Sequence, residues 1–444
     1  MLSERDNKLL TQVGPGTPMG ELMRQFWIPA VMSKELPEPD SDPVRVKLLG
    51  EELIAFRDTN GDVGLVDNYC PHRRASLFFG RNEECGLRCV YHGWKFDVNG
   101  DCVDMPSEPA ESNFKDKVKI KAYPCRERCG VIWTYMGPRT ELPPLPDLEA
   151  NMMPEGEWAV ATVMRSSNFV QSLEGDIDTS HLGFLHLGAV DPAGTVPGSF
   201  DYYTVNIRSP RYKVMDTDVG TTYAAYRDAS EGNYYWRFAH FLLPFWSMIP
   251  TGVLGVQILA RAWVPMDDEH TMFWNMIVPS TRQSNSAGQG GSAPPRRGVN
   301  IDGKTGATSY KPNGTGWYDR WNLTQEAAND YMIDREAQKS GQNFTGIDGI
   351  YLQDQVVTES MAPIVDRTRE HLGTSDLMVI KTRRRLMNAA RDLQEGVEPV
   401  AVDQPELYAL RSGGVVLPKE TDWLEGTTEL RKAFVKHPGL STVQ

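Results

Sequence analysis

The chain has 444 residues, 40% of them hydrophobic and 24% charged, which is ordinary globular composition and predicts two or three domains at this length. Its formal net charge of −13 argues against nucleic-acid binding, because that affinity comes from neutralising phosphates with Lys and Arg. The N-terminus lacks the basic-then-apolar order of a signal peptide. We therefore expect a cytoplasmic protein that binds neither nucleic acid nor membrane.

The first part of the chain has the pattern of a small all-β domain. A short amphipathic helix is predicted over 17–28, and from 44 to 135 short β-type runs alternate with turns. A proline-rich stretch at 138–154 has little periodicity and predicts a domain boundary. The sequence thus predicts a helix plus an all-β domain over 1–145 and a second domain over 150–444.

The second domain mixes predicted strands with predicted helices, so its predicted class is α+β. Strands are predicted at 158–164, 202–207, 221–226, 234–243, 256–264 and 272–278. Helices are predicted at 168–186, 323–339 and 375–393, with a solvated basic face on the last one formed by Lys381, Arg383, Arg384 and Arg385. The stretch 280–316 has no periodicity and predicts a long loop.

Two short motifs each combine one Cys with one His. Cys70 and His72 form the first, and Cys89 and His92 form the second after sixteen intervening residues. A Rieske [2Fe–2S] cluster takes two Cys on one iron and two His on the other. A Cys₂His₂ zinc site is the alternative, but zinc-finger spacing groups like residues together. The remaining four cysteines are interpreted as ordinary thiols rather than a second site or disulfides: Cys85, Cys102, Cys125 and Cys129.

A third motif places two further histidines close together. His181 and His186 lie three and eight residues after Asp178. Two His and one carboxylate on one face of a metal leave open positions for O₂ and substrate, as in non-haem Fe(II) oxygenases. Asp178 is either a ligand or the group that orients His181, and we favour the orienting role. The third ligand is then expected from Asp354, on a predicted helix after the long loop.

Taken together, Cys-x-His, Cys-x₂-His, Asp-x₂-His-x₄-His and a distant Asp resemble the catalytic α subunit of Rieske non-haem iron aromatic-ring hydroxylating oxygenases. The resemblance covers nearly the whole chain. Stretches at 14–20, 106–109, 174–181 and 366–373 are similar to the phthalate 4,5-dioxygenase branch. The resemblance implies an N-terminal all-β Rieske domain followed by an α+β catalytic domain, helix-grip-like, with an antiparallel sheet flanked by helices.

The resemblance also implies the cofactors and partners. The two Cys/His motifs would hold one [2Fe–2S] cluster, and His181, His186 and Asp354 would hold one mononuclear Fe(II), with O₂ as co-substrate. Asp178 would bridge His181 to His92 of a neighbouring subunit in a homotrimer or stacked trimers. Because no flavin or nicotinamide fingerprint occurs in the chain, electrons are expected from a separate reductase (flavin plus ferredoxin-type) or ferredoxin.

Four residues are candidates for substrate binding: Asn168, Ser180, Arg208 and Arg211. An aromatic carboxylate needs a fixed cation, and Arg offers a bidentate one. Arg208 fits best because it lies in an otherwise β-type run.

Three functional hypotheses follow. The first is a terminal oxygenase that performs cis-dihydroxylation of a phthalate-like aromatic acid. The second is monooxygenation by the same centres, with O-demethylation or ether cleavage of a methoxy- or phenoxy-substituted acid. The third is an electron carrier that uses only the cluster, which the second domain and the third motif argue against.

Overall fold

The computed structural model of the chain describes residues 1–109, 111–187, 200–281 and 309–437, without the side chains of residues 200 and 201. Within these ranges, three small antiparallel sheets precede one eight-stranded antiparallel sheet with helices packed against it. The predicted α+β class, with an all-β first part, is confirmed. The predicted loop at 280–316 lies mostly outside the described residues.

Two short helices open the chain, and local residues explain where they begin. Helix α1 (Glu4–Thr11) is capped by the Ser3 hydroxyl, and α2 (Pro18–Arg24) by Thr17, with proline in its first turn. The helix predicted over 17–28 ends earlier than expected, because strand β1 (Trp27–Met32) begins there and is buried along its whole length.

Three small sheets make up the rest of the first part. Their strand orders are β1-β11-β10, β2-β3-β4-β9 and β5-β6-β7-β8. The strands that follow β1 are β2 Val44–Leu48, β3 Glu51–Arg57, β4 Val63–Asp67, β5 Arg81–Asn82, β6 Leu87–Arg88, β7 Lys95–Phe96, β8 Cys102–Asp104, β9 Ala122–Tyr123, β10 Cys125–Arg128 and β11 Val131–Tyr135.

The second part is built on one large sheet of order β12-β18-β17-β16-β15-β14-β13, with β19 also paired to β15. Its strands are β12 Ala159–Arg165, β13 Arg211–Asp216, β14 Gly220–Asp228, β15 Asn233–Leu242, β16 Trp246–Met248, β17 Leu259–Pro265, β18 Thr271–Ile277 and β19 Gly413–Pro418. The helices are α3 Phe169–Ile177, α4 Phe200–Asn206, α5 Arg335–Ser340, α6 Ile350–Ser360, α7 Leu377–Gln394 and α8 Thr428–Arg431.

The main hydrophobic core crosses from the first part into the second. It includes Met23 of α2, Trp133 of β11 and Trp246 of β16, and the two tryptophan rings stack with centroids 5.6 Å apart. A separate core lies around Phe56 and Phe96 in the first part. Since the main core is continuous across 145–150, the division of domains there stays a prediction.

Two element predictions are wrong. The β-type run at 202–207 lies mostly in helix α4, where tertiary packing overrides strand propensity: the buried Tyr203 ring stacks on Tyr235 at 4.4 Å. The helix predicted over 323–339 is broken, because Asp330, Tyr331 and Met332 all have positive φ and no α-helix can continue through them.

Two further helix predictions need correction in part. The helix predicted over 168–186 ends at Ile177 and is followed by a single turn at His181–Gly183. The helix predicted over 375–393 is present as α7, but its Arg383 is buried rather than solvated. Among the described helices, none combines the length and the apolar composition needed to cross a membrane.

Candidate active site

The two Cys/His motifs form two loops of the same shape. In the first, the Cys70 N–H donates to Ala75 O at 2.9 Å and the Arg74 N–H donates back to Cys70 O at 2.9 Å. In the second, the Cys89 N–H donates to Trp94 O at 2.8 Å and the Gly93 N–H donates back to Cys89 O at 2.9 Å. The residue four positions after each Cys has positive φ, at Arg74 and Gly93. The two loops therefore have the same backbone hydrogen bonds and hold their Cys/His motifs in the same way.

These loops bring the four predicted cluster residues together, with sulfur inside and imidazole outside. Cys70 and Cys89 are buried, whereas His72 is exposed and His92 is half-buried. The two imidazole centroids are 4.3 Å apart, and the His72 ring stacks on Trp94 at 4.4 Å. Burial, with the neighbouring Cys89 thiol, raises the pKa of Cys70 to about 11. A thiolate at this position needs a metal cation beside it, so the donor set and its surroundings fit a Rieske cluster.

The three residues predicted to bind mononuclear iron also converge. Asp178 ends α3, His181 lies on the single turn that follows, and Asp354 is in the second turn of α6. The candidate ligand atoms of His181, His186 and Asp354 all lie within 4.8 Å of one another. Asp354 Oδ1 is 3.6 Å from His181 Nε2 and 3.3 Å from His186 Nε2.

Each histidine of this triad is held through its Nδ1, which leaves Nε2 directed at Asp354. His181 Nδ1 is 3.3 Å from Asp178 Oδ2, and His186 Nδ1 is 2.7 Å from Gln353 Oε1. His186 Nε2 is buried and has no hydrogen-bond partner among the described residues. A buried nitrogen without a partner is costly unless a metal takes its lone pair, so the triad fits a divalent iron with open positions.

The electrostatics of the triad favour an ionised carboxylate beside the two imidazoles. Burial alone would raise the pKa of Asp354, but His186 and His181 outweigh it and the pKa is lowered. Burial opposes protonation of His181, but the hydrogen bond to Asp178 and the Asp354 charge raise its pKa overall. The carboxylates are therefore ionised and available as ligands or hydrogen-bond acceptors.

Comparison with known proteins identifies the family. A model of the Rieske [2Fe-2S] domain matches residues 26–124, and a model described as LigXa C-terminal domain like matches 134–292 and 308–441. The chain is 49% identical over 428 residues to the 3-chlorobenzoate-3,4-dioxygenase oxygenase subunit of Comamonas testosteroni, across 95% of this chain and 97% of the relative. The chain belongs to the Rieske oxygenases.

Other relatives of this Rieske oxygenase are more distant. It is 37% identical to the phthalate 4,5-dioxygenase oxygenase subunit of Pseudomonas putida, across 95% and 94% of the two chains. It is 31% identical to the 5,5'-dehydrodivanillate O-demethylase oxygenase subunit of a Sphingobium strain, across 90% and 84%. A dicamba monooxygenase structure shares the fold with a TM-score of 0.54 at 17% identity, across 84% and 99%.

These relationships establish the class of the protein. It is the terminal oxygenase, or α subunit, of a Rieske system, with a [2Fe–2S] cluster, a mononuclear iron and O₂ as co-substrate. It takes electrons from a separate ferredoxin or reductase.

Two of the four predicted substrate residues have side chains that are engaged elsewhere in the fold of the oxygenase. Asn168 caps the start of α3, about 15 Å of helix before Asp178, and its amide donates to Thr11 O and Asp268 O. Arg211 is exposed on the edge strand β13 and pairs with Asp228 at 3.1 Å. Both side chains are used by the fold, so the structure does not support their assignment to substrate.

The other two predicted residues border the turn that carries His181. The Ser180 hydroxyl is 2.6 Å from the Tyr212 hydroxyl. Arg208 is exposed, and its guanidinium packs over the exposed Phe184 ring at 5.2 Å. It follows helix α4 and lies in no strand, contrary to the prediction.

The sequence reasoning missed two buried arginines of the large sheet. Arg227 and Arg237 occupy diagonal positions on β14 and β15, since Arg227 pairs with Tyr235 and Ala225 pairs with Arg237. Arg227 Nε donates to Ile207 O at 2.7 Å, but its Nη1 is buried without a partner among the described residues. Burial, together with the Arg237 charge, lowers the pKa of Arg227 to about 10.

One of the two arginines, Arg237, contacts the segment that leads into the triad. Arg237 donates to the Thr179 hydroxyl, next to Asp178, and to Pro250 O at 3.1 Å. The Tyr212 hydroxyl is 2.6 Å from the Ser180 hydroxyl, and the Tyr212 ring lies 6.1 Å from the Tyr223 ring, so these side chains adjoin the segment that carries Asp178 and His181. The sequence signal was clear for Arg237, a charged residue in the middle of the predicted strand 234–243, whereas Arg227 directly follows the predicted strand 221–226.

Proposed function

We propose that this oxygenase hydroxylates an aromatic carboxylate. The observation that carries the proposal is the buried guanidinium of Arg227, which forms no ion pair with any carboxylate of the described residues and lies diagonally across two paired strands from Arg237. A buried charge is stable only when it is paired. The carboxylate of a substrate would supply that pair.

The relatives support the same substrate class. The names of two of them specify 3-chlorobenzoate and phthalate, both of which are aromatic acids. We therefore propose cis-dihydroxylation of a benzoate- or phthalate-like acid as the reaction. Arg227 and Arg237 would bind the carboxylate, while Ser180 and Arg208 would lie at the rim of the pocket.

We propose the following roles for the metal-binding side chains. Cys70, His72, Cys89 and His92 hold the cluster. His181, His186 and Asp354 would hold the iron, a ligand set that leaves positions for O₂ and substrate. When bound, the iron supplies the activation of O₂, and the protein residues position the acid and exclude water from the pocket.

Asp178 is proposed to join two subunits. Its carboxylate is 3.3 Å from His181 Nδ1 and accepts the Ser180 N–H at 2.6 Å, yet the side chain stays about one-quarter exposed. On the cluster loops, Val90 and Tyr91 are apolar and more than half exposed. A homotrimer in which Asp178 contacts His92 of the partner subunit would cover these side chains and shorten the electron path.

A monooxygenase reaction is the second candidate. The 31% identity to an O-demethylase oxygenase subunit over most of both chains favours it. Here the same centres would remove a methyl group from a methoxy-substituted acid or cleave an aryl ether. None of the six cysteines forms a disulfide, which supports a reducing compartment such as the cytoplasm for either reaction.

A substrate panel with labelled O₂ tests the proposal. The reconstituted oxygenase, with a surrogate reductase, is given benzoates, phthalates and methoxylated acids, and substrate-dependent O₂ uptake is measured. We expect a cis-diol that contains two labelled atoms. A phenol or an aldehyde with one labelled atom would support the second candidate. The Asp354→Asn variant should retain the cluster spectrum and lose all product, and product formation by that variant would contradict the iron site.

A further inference from the structure

The two histidines of the iron site have unlike partners. His181 faces the carboxylate of Asp178, whereas His186 faces the neutral amide of Gln353. His186 and Gln353 are both almost completely buried, at 4% and 1% exposure. The contact from His186 Nδ1 to Gln353 Oε1 is 2.7 Å, at the short end of the range for an N–H···O hydrogen bond.

The surroundings of Gln353 fix which way its amide points. Its Nε2 lies 2.9 Å from Ile347 O and 3.2 Å from Thr345 Oγ1. A backbone carbonyl only accepts hydrogen bonds, so the amide nitrogen must face Ile347. Oε1 must then face His186, where it accepts the Nδ1–H. The neutral imidazole therefore carries its lone pair on Nε2, the atom 3.3 Å from Asp354 Oδ1.

The loop before α6 holds this arrangement from behind. Asn343 Nδ2 donates to Ile347 O at 2.8 Å, and the Phe344 N–H donates to Leu187 O at 3.1 Å, next to His186. Gly346 has φ +72°, and a Cβ there would meet Asp334 O at 2.4 Å. One loop thus fixes both the amide that holds His186 and the backbone beside it.

We propose that Gln353 is a positioning residue of the iron site, which sets the tautomer and ring orientation of His186 through this hydrogen bond. The inference rests on the proposed ligand set. It also explains why an amide rather than a carboxylate occupies the position. A glutamate would bring a second oxygen against Ile347 O, with no hydrogen between them. The site therefore pairs one histidine with an anion and the other with a neutral group.

Metal affinity tests this role without relying on turnover. The full-length protein keeps its cluster oxidised, loses the mononuclear metal to a chelator, and is titrated with Co²⁺ while the Co²⁺ EPR spectrum is recorded. Loss of the partner that orients a ligand typically weakens metal binding about 10–100-fold. We expect that loss in Gln353→Met, together with a changed EPR spectrum.

The matched control is Gln355→Met. Gln355 is also a buried amide of α6, but its Nε2 donates to Glu359 at 3.0 Å rather than serving a candidate ligand. We expect it to bind Co²⁺ as the unmodified protein does. If Gln353→Met does not fold, Thr345→Val removes the half-buried hydroxyl behind the amide and should weaken Co²⁺ binding by a smaller factor.

The outcomes separate this inference from the ligand assignment. Unchanged Co²⁺ affinity and EPR spectrum in the folded Gln353 variant, or in Thr345→Val where that variant replaces it, would overturn the positioning role. Unchanged Co²⁺ binding in Asp354→Asn would instead overturn the ligand set itself. Equal weakening in Gln353→Met and Gln355→Met would show a general effect of helix α6 and would also overturn the inference.

Discussion

At the scale of single residues, the buried arginine of β14 decides the proposed substrate class. Arg227→Met removes a charge that has no carboxylate partner in the described parts of the chain. A hydrogen bond to a charged group contributes about 1.5–3 kcal/mol, so KM for the acid should rise about 10–100-fold. Because the removed charge is unpaired in the free protein, thermal stability should not fall.

The measurement compares O₂ uptake with the acid and with its neutral amide, which cannot form the ion pair. Arg211→Met is the control, since Arg211 is exposed and pairs with Asp228. An unchanged KM for the acid in Arg227→Met would exclude the buried arginines from substrate binding.

The structure groups the predicted metal-binding residues, but it does not group the four predicted substrate residues in the same way. Cys and His at fixed spacing carry their chemistry wherever the loops lie, and the structure brings each predicted set together. A substrate residue depends on which face of a strand it occupies. Tyr235 and Arg237 are two residues apart and therefore lie on the same face of β15. The pairing of β14 with β15 places both beside Arg227. Their side-chain direction could not be obtained without the register.

At the scale of elements, helix α7 holds α3 in place through buried ion pairs. Arg383 of α7 contacts Glu174 of α3 at 2.6 Å and Glu370 at 2.5 Å. Glu174 O in turn accepts the N–H of Asp178. The helix itself was correctly predicted, but Arg383 is buried because it forms these ion pairs. A basic run in the sequence does not show which of its members faces a carboxylate of a distant helix.

We expect Arg383→Met to lower the free energy of unfolding by about 3–5 kcal/mol, because it leaves Glu174 buried with only part of its charge compensated. Urea unfolding followed by circular dichroism measures the change. Arg384→Met, at an exposed position of the same helix, should stay within about 0.5 kcal/mol of the unmodified protein. Equal effects of the two substitutions would show that the ion pair does not anchor α3.

Long regular elements were predicted more reliably than short or interrupted ones. Strands β12, β14, β15, β17 and β18 were all predicted, since each has enough β-type residues to show the pattern. The run at 202–207 has the same residue types and yet lies mostly in helix α4, because the choice depends on packing against β15. The break at Asp330 is set by backbone angles that no propensity predicts.

At the scale of the whole molecule, a histidine inside the large sheet makes stability depend on pH. His240 of β15 is fully buried, and its Nε2–H donates to Arg411 O at 3.1 Å. Nδ1 therefore accepts from the Thr222 hydroxyl at 2.9 Å. Burial lowers the pKa of His240 to about 4. The unfolded chain takes up this proton near pH 6.5, whereas the folded chain does so only near pH 4.

Above pH 6.5, His240 is neutral in both states and does not make the free energy of unfolding depend on pH. As the pH falls from 6.5 toward 4, the unfolded chain binds a proton that the folded chain does not, and the free energy of unfolding falls by up to about 1.4 kcal/mol per pH unit. Glu174 acts in the same direction at lower pH: burial opposes its ionisation, but Arg367 and Arg383 lower its pKa overall. Urea midpoints should therefore fall between pH 7 and pH 5 in the unmodified protein. In His240→Asn they should start lower and fall less steeply, because that proton uptake is absent.

His371→Asn changes an exposed histidine and should keep the full slope. The difference between the two variants isolates the buried histidine from the metal-binding histidines, which all three proteins share. Parallel slopes in His240→Asn and His371→Asn would show that the interior of the sheet does not resist protonation, and that acid sensitivity arises at the metal centres instead.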